Sequence, residues 1–238
     1  MAVGPVFADC ILLAATQGLP AAAVARASST LASTTRSARV SPVDDAPAAG
    51  GRRVRPTVLG MSDVPNVALR ARTNDDLDVL FSIAADLNTW EERNPSAPAP
   101  RTRERFDALL ARAAESDAPE DTVTFVVAVD GTAVGSASLF EFDSFARHAE
   151  AGISLVPEAR GRGIGTAAIA QLVEFGFVRR NLRRIHLQAI ASNTGAIRAY
   201  EKAGFVVEGR QLQHAWVRGA YEDIVLMGIL RSEHTLPS

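Results

Sequence analysis

The feature that most constrains the fold is a glycine-rich segment between a strand pattern and a helix pattern, Arg160-Gly161-Arg162-Gly163-Ile164-Gly165. A strand that enters such a loop and continues into a helix gathers backbone N–H groups and the positive end of a helix dipole at one point. Glycines let the backbone approach phosphate oxygens closely, and the two arginines can add charge-assisted hydrogen bonds. The segment therefore predicts a phosphate-binding site.

Two common phosphate-binding motifs do not fit this segment. A P-loop needs Gly-Lys-Ser/Thr after four intervening residues, and the loop contains no lysine. A dinucleotide-binding fingerprint needs a carboxylate at the end of the next strand, whereas Ile185–Ile190 ends without one. The remaining alternative is a tight strand-to-helix turn without a ligand, which the density of Gly and Arg makes the weaker interpretation.

Strand and helix patterns alternate irregularly from about residue 66 to residue 230, which predicts an α+β fold. The Asp130-Gly131 pair between two apolar runs predicts a β-hairpin, because both residues tolerate positive φ. Four helices are predicted at about Thr73–Leu87, Thr102–Glu115, Ile164–Val178 and Asn193–Gly204. Seven strands are predicted at Val67–Arg72, Thr122–Val129, Thr132–Phe142, Ala149–Val156, Ile185–Ile190, Phe205–Val217 and Tyr221–Leu230.

The first sixty residues differ from the rest in composition and charge. They hold six Arg and three Asp, a charge of +3, whereas residues 61–238 hold nineteen basic and twenty-four acidic side chains, a charge of −5. We expect a low-complexity extension at residues 1–61, a domain at 62–232 and a tail at 233–238. The extension is either disordered or precedes the real start of the protein at Met61. An acidic domain argues against nucleic-acid binding and is compatible with a cationic substrate.

The apolar stretch Val3–Leu13 is too short to span a bilayer and makes a poor signal peptide, so we expect a cytoplasmic protein without a membrane partner. The single cysteine, Cys10, excludes a disulfide framework and a thiolate metal cluster within one chain. The segment from Met61 onward has no cysteine to carry an acyl group, so any acyl transfer there uses another group or proceeds directly to the acceptor.

The segment Leu155–Gly165 resembles the acetyl-coenzyme A signature of the GNAT superfamily of N-acetyltransferases, whose core pattern is Arg/Gln-x-x-Gly-x-Gly/Ala. Arg160, Gly163 and Gly165 match every defined position. The run Asn193–Phe205 resembles the second signature of the superfamily. The resemblance is greatest to the branch with ribosomal-protein N-terminal acetyltransferases and bacterial small-molecule acetyltransferases. It implies a GNAT-type fold, a mixed, mostly antiparallel sheet of about seven strands flanked by about four helices.

The resemblance also implies where acetyl-coenzyme A binds. The strand ending at Leu155-Val156 would diverge from the next strand so that its backbone can pair with the pantetheine arm. The pyrophosphate would bind the loop residues Arg160, Gly161, Arg162, Gly163, Gly165 and Thr166. Asn193 would contact the pantetheine, although Asn is also well suited to cap the helix that follows.

The resemblance indicates Tyr200 as the acid that protonates the departing thiolate, although a helix tyrosine can also be simple core packing. A protonated amine must lose a proton before it attacks a thioester, and Glu150 is the first candidate for the base. His148, two residues earlier, can share the same strand face. Either could instead be a solvated strand-end residue, and water could be the base.

Trp90 and Glu91 lie in a predicted loop that forms part of the acceptor wall in this superfamily, where an aromatic ring and an acid can receive a cationic amine. Equally, Trp90 could cap the core and Glu91 could face water. His186 and His214 lack paired metal-ligand spacing and are predicted to be hydrogen-bonded strand residues, so we expect no metal.

These features predict an acetyl-coenzyme A-dependent N-acetyltransferase that acts directly on a primary amine of a small molecule or of a protein N-terminus. The alternative is a catalytically silent acyl-coenzyme A sensor on the same fold. Whether the protein forms a homodimer is left open.

Overall fold

A computed structural model of the chain describes residues 65–93, 101–115 and 122–234. The predicted extension at residues 1–61, the segment 94–100 and the last four residues of the predicted tail lie outside the described residues. The described part contains the strands β1 (Val67–Arg70), β2 (Thr122–Val129), β3 (Thr132–Asp143), β4 (His148–Leu155), β5 (Arg184–Ile190), β6 (Val206–Val217) and β7 (Ala220–Leu230). It also contains the helices α1 (Leu77–Ala85), α2 (Leu87–Arg93), α3 (Arg103–Glu115), α4 (Ile164–Val178) and α5 (Thr194–Lys202).

The seven strands form one sheet in the order β1-β2-β3-β4-β5-β7-β6. Only the β4–β5 pair is parallel, and the other neighbouring strands are antiparallel. The predicted hairpin at Asp130-Gly131 joins β2 to β3, with φ of 49° and 83° at the two residues. The mixed sheet of seven strands confirms the predicted fold class.

Successive strand residues point to opposite faces of the sheet, and helices cover both faces. On one face, α4 packs its apolar side chains against the sheet; Ala168, Leu172 and Phe177 are fully buried with Ala149 and Ala151 of β4. On the other face, Leu80 of α1 and Phe106 of α3 pack against Val126 of β2. Glu150 lies between the two alanines in β4, and alternation therefore turns its side chain away from α4.

The predicted first helix is two helices, so the described part has five helices and not about four. The Asp86 carboxylate accepts hydrogen bonds from the Thr89 N–H at 2.8 Å and the Thr89 hydroxyl at 2.5 Å. This side-chain cap begins α2 at Leu87. The prediction of a loop at Trp90 and Glu91 was therefore wrong: both residues lie in α2.

An ion pair at the start of the described chain fixes β1 against the first helical turn. Arg70 donates two parallel hydrogen bonds to Asp76, at 2.7 and 2.8 Å, and Asp76 is only 3% exposed. Asp76 also accepts from the N–H and the hydroxyl of Thr73, the residue that precedes this turn. The Arg70 guanidinium is the main cause that holds the pKa of Asp76 well below its usual range.

Candidate active site

The site begins where β4 and β5 diverge. Their parallel pairing covers only three residue pairs and ends at Glu150 and His186. Beyond that point β4 continues to Leu155 along β3, and β5 continues to Ile190 along β7. The two facing strand edges are therefore separated by a wedge-shaped gap, as the family resemblance implied.

A cavity of about 440 Å³ fills this gap and extends to both faces of the sheet. Its walls come from the diverging strands, the loop before α4, the inner side of α5 and one side of α2. The lining residues include Thr89, Glu92, Ser136, Gly152, Ser154, Leu155, Arg160, Gly161, Gly163, Gly165, Thr166, Gln188, Asn193 and Tyr200. An extended ligand can therefore pass from the loop before α4 through the sheet to α2.

The glycine-rich loop lies at one end of the cavity and leads directly into α4. Gly161 and Gly163 have φ of 72° and 80°, backbone conformations in which side chains with a Cβ atom are strained. Gly163 caps α4, and Ala167 donates the first helical hydrogen bond to its carbonyl. The first N–H groups of α4 therefore face the cavity side of the loop, where the backbone can receive an anion.

The Arg160 side chain points away from this loop and towards α2. It donates hydrogen bonds to the Glu92 carboxylate at 2.9 Å, to the Thr89 hydroxyl at 2.8 Å and to the Leu155 carbonyl at 3.1 Å. Each of its three nitrogen atoms thus has a protein acceptor. Arg162, the other arginine of the loop, is exposed and lies outside the cavity lining.

Helix α5 forms the wall opposite the loop. The Asn193 side chain caps the helix by accepting from the Ala196 N–H at 3.1 Å, and Asn193 also lines the cavity. Tyr200 lines the cavity while only 8% of it is exposed, and its ring packs near Phe205. Both residues thus support the helix or the core and also line the cavity.

Glu150 is a buried carboxyl at the closed end of the wedge. Only 3% of it is exposed, and its Oε1 atom has no hydrogen-bond partner among the described residues. Burial, together with the Glu141 charge, raises the pKa of Glu150 to about 8, although a hydrogen bond with the Gln188 amide acts in the opposite direction. Because Gln188 lines the cavity, Glu150 is connected to the cavity although it does not line it. Only the ionised form of this carboxyl can accept a proton, and its population grows as the pH rises through about 8.

Two histidines extend from Glu150 towards the surface. His186 Nε2 lies 3.7 Å from Glu150 Oε2, and the rings of His186 and His148 are 5.3 Å apart. His148 Nε2 lies 3.8 Å from the partly exposed Asp143. Burial, together with the nearby His148 and Arg184, lowers the pKa of His186 to about 4, so its imidazole is neutral at pH 7. The Nδ1 atom of His186 has no partner among the described residues, whereas the ring forms a hydrogen bond with the Ala149 backbone, so the predicted hydrogen bonding holds in part.

Helix α2 carries the predicted acceptor residues Trp90 and Glu91, but neither of them lines the cavity. Trp90 and Glu91 are partly buried and lie outside the cavity lining, and the Arg101 guanidinium lies 5.4 Å from the centre of the Trp90 ring. Glu91 lies 3.7 Å from Arg218 in the β6–β7 turn. The neighbouring Glu92 lines the cavity and accepts from Arg218 at 3.0 Å as well as from Arg160.

The cavity therefore gathers Leu155, Arg160, Gly161, Gly163, Gly165, Thr166, Asn193 and Tyr200 of the predicted site residues. Val156, Arg162, Glu150, Trp90 and Glu91 lie outside its lining. Val156 uses its N–H in a hydrogen bond to the Val134 carbonyl. Sequence reasoning missed Thr89, Ser136 and Gln188; the only signal was the Asp86-x-x-Thr89 capping spacing. Within residues 65–93, 101–115 and 122–234, no group of three or more His, Cys, Asp or Glu side chains could hold a metal ion.

Curated relatives of the chain include two spermidine N(1)-acetyltransferases. The enzyme of Escherichia coli K12 is 34% identical over 117 residues, which cover 48% of this chain and 63% of the relative. The enzyme of Vibrio cholerae is 33% identical over 101 residues, which cover 42% of this chain and 58% of the relative. The chain thus spans less than two thirds of the length of either enzyme.

A solved structure extends the likeness to the whole fold. The crystal structure of spermidine N-acetyltransferase from Vibrio cholerae in complex with CoA and spermine superposes with a TM-score of 0.63 at 26% identity, covering 70% of this chain and 96% of that chain. A family model described as an acetyltransferase (GNAT) domain matches residues 66–206, more than half of the chain. The glycine-rich loop, the diverging strands and this match show that the chain belongs to the GNAT acetyltransferase family.

Proposed function

We propose that the protein transfers the acetyl group of acetyl-coenzyme A to a primary amine. The observation that carries this proposal is the continuous cavity between β4 and β5. It has an anion-binding loop at one end, and the buried Glu150 lies behind its closed end. Family membership and the CoA-bound relative support the same donor.

The donor would lie across the wedge in an extended conformation. Its pyrophosphate would accept hydrogen bonds from backbone N–H groups of Gly161, Gly163 and Gly165 at the start of α4. Its pantetheine arm would pair with the free edge of β4 and contact Asn193, which lines the cavity. The thioester would then lie near Tyr200, between the two faces of the sheet.

The acceptor would approach from the α2 side of the sheet, on which Glu150 and Gln188 lie. Glu150, directly or through water, takes a proton from the ammonium form of the acceptor. The neutral amine attacks the thioester carbonyl carbon, and the C–N bond forms as the carbonyl π electrons move onto oxygen. When the carbonyl reforms, the C–S bond breaks, and the departing thiolate takes a proton from the Tyr200 hydroxyl. The bonded nitrogen still carries its extra proton, which passes directly or through water to the Tyr200 phenolate and restores the hydroxyl. The amide product and coenzyme A leave, and the proton on Glu150 returns to solvent.

The proposed acceptor is cationic before it reacts. The carboxyl groups of Glu150 and Glu141 lie on the acceptor side, and the part of the chain after residue 60 has a net charge of −5. Spermidine is the first acceptor to test because two curated relatives carry it in their names. The alternative acceptor is a peptide N-terminus, which, like the ends of spermidine, presents a primary amine.

The test is a panel of amines with acetyl-coenzyme A, followed by the appearance of the free thiol. The panel should hold spermidine, spermine, monoamines, an aminoglycoside and peptides with a free N-terminus. We expect thiol release that depends on one class of amine. Tight binding of acetyl-coenzyme A without turnover on any of them would contradict the proposal and favour the acyl-coenzyme A sensor.

We place the protein in the cytoplasm of a bacterial-type cell, with no nucleic-acid or membrane partner. The acidic charge of residues 61–238 and the bacterial relatives support this assignment. In the described part of the chain, none of the helices has the length and apolar character needed to cross a membrane. A domain at 62–232 is consistent with the family match at 66–206, and gel filtration with light scattering would test a homodimer.

A further inference from the structure

The three nitrogen atoms of Arg160 all donate to protein acceptors, although this arginine belongs to the phosphate-binding signature. The acceptors are the Leu155 carbonyl, the Thr89 hydroxyl and the Glu92 carboxylate, at 2.8 to 3.1 Å. Thr89 and Glu92 lie about seventy positions earlier in the chain, on α2. The guanidinium thus joins the loop to the helix that covers the acceptor side of the cavity.

The contact with Thr89 reaches into the cap of α2. The Thr89 hydroxyl accepts from Arg160 and donates to the Asp86 carboxylate at 2.5 Å, so one hydroxyl connects the loop to the capping residue. Thr89 is 2% exposed, and an unpaired hydroxyl at this depth would be costly. The Arg160 and Glu92 side chains are 37% and 28% exposed, so the buried part of the network is the Thr89 hydroxyl rather than the ion pair.

Glu92 continues the network to a third element. One carboxylate oxygen accepts from Arg160 at 2.9 Å, and the other accepts from Arg218 in the β6–β7 turn at 3.0 Å. Three segments distant in sequence, the loop, α2 and the hairpin, thus meet on one carboxylate at the cavity wall. Loss of either arginine contact would leave α2 held on one side only.

We propose that Arg160 is a positioning residue for the acceptor wall and that the backbone of the loop, with Arg162, carries the phosphate-binding role. This inference rests on the proposed function, because it assigns the two ends of the same cavity to different substrates. Charge-assisted hydrogen bonds to Thr89 and Glu92 set where α2 lies above the reacting amine. A small displacement of such a wall is costly, since shifts of about 1 Å can reduce turnover about 100-fold.

The experiment compares Arg160→Gln with the matched control Arg162→Gln, two substitutions that remove the same charge from the same loop. Calorimetric titration gives the Kd for acetyl-coenzyme A, and steady-state kinetics at saturating donor give KM and kcat for the best amine of the panel. We expect R160Q to keep the donor Kd within about threefold and to raise the acceptor KM about 10- to 100-fold. We expect R162Q to weaken donor binding about 5- to 10-fold and to leave the acceptor KM unchanged.

Glu92→Gln and Thr89→Val test whether the effect passes through α2. Each should raise the acceptor KM as R160Q does. The effect of the R160Q/E92Q double variant should be smaller than the sum of the two single effects, because the two changes share the Arg160–Glu92 interaction. Amide hydrogen exchange of the full chain should accelerate in α2 of R160Q and stay unchanged in the middle of α4. Thermal unfolding shows whether each variant remains folded.

Three results would overturn the proposal. The first is weakened acetyl-coenzyme A binding in R160Q with an unchanged acceptor KM. The second is additive effects of R160Q and E92Q, and the third is unchanged exchange in α2. If the wild-type protein shows no turnover on any amine, the proposed function fails, whereas donor titration and hydrogen exchange still decide the role of Arg160.

Discussion

Replacing Glu150 with Gln should stabilise the protein at alkaline pH and remove its activity. In the unfolded chain this carboxyl loses its proton near pH 4.5, whereas burial raises its pKa in the folded chain to about 8. Between these values the folded state holds a proton that the unfolded state has lost. The contribution of Glu150 to the free energy of unfolding therefore falls as the pH rises from 4.5 to 8 and is constant above 8. A glutamine at this position cannot ionise, so the variant does not lose this stability.

The magnitude follows from the two pKa values. The rise of the pKa from 4.5 to about 8 corresponds to a loss of at most about 5 kcal/mol in the free energy of unfolding above pH 8. Water that reaches the carboxyl through the cavity makes this loss smaller. We expect Glu150→Gln to exceed the wild type in free energy of unfolding by about 2–5 kcal/mol at pH 8.5 and by less than about 0.5 kcal/mol at pH 4.5. The amide retains the volume of the side chain and its contact with Gln188.

The assay is urea unfolding followed by circular dichroism from pH 4.5 to 9. The matched control is Glu208→Gln, because Arg184 holds the pKa of the Glu208 carboxyl below its usual value. Loss of that carboxylate should destabilise the protein above its unfolded pKa, the opposite sign. In the same variants, kcat should fall about 100- to 10,000-fold for Glu150→Gln only. Equal stability of wild type and Glu150→Gln across this range, or full activity of the variant, would refute the reasoning.

Further changes test other parts of the site and the fold. Tyr200→Phe should lower kcat about 10- to 100-fold with an unchanged Kd for acetyl-coenzyme A, and equal kcat values would remove Tyr200 from the acid role. Asp76→Asn should lower the free energy of unfolding by about 2–3 kcal/mol at pH 7. The difference from the wild type should shrink as the pH falls below 3.8, the pKa of this carboxyl in the unfolded chain, and a difference that does not depend on pH would contradict the ion pair with Arg70. Arg218→Ala removes the cation beside Glu91 and one oxygen of Glu92, so kcat/KM for spermidine relative to a monoamine should rise about 5- to 10-fold, unlike in Arg210→Ala; no change would exclude the acids from acceptor binding.

Predictions from sequence succeeded where local chemistry decides the structure. The hairpin at Asp130-Gly131 depends on two residues that tolerate positive φ, and α4 spans the predicted range Ile164–Val178 because its glycine cap and apolar spacing are local signals. The gap between β4 and β5 was implied by family resemblance. Hydrophobic periodicity alone does not predict this gap, because no turn sets the register of a parallel strand pair.

The parts that sequence reasoning missed depend on contacts between distant segments. The direction of the Arg160 guanidinium is set by Thr89, 71 positions away. The proximity of His186 to Glu150 follows from the three-residue parallel register. The start of α2 could have been found, since Asp86 and Thr89 have the spacing of a side-chain cap. The burial of Glu150 could not be predicted from the sequence, because strand alternation predicts which face the side chain points to but not which residues cover that face.

The most direct test of the account is the stoichiometry of acetyl transfer. Wild-type protein, acetyl-coenzyme A and the best amine of the panel are incubated together, and mass spectrometry counts acetylated amine while a thiol reagent counts coenzyme A. The account predicts one acetylated amine per free thiol, at a rate that rises with pH through about 8 as Glu150 loses its proton. Thiol release without acetylated amine, or no release with any amine despite donor binding, would contradict it.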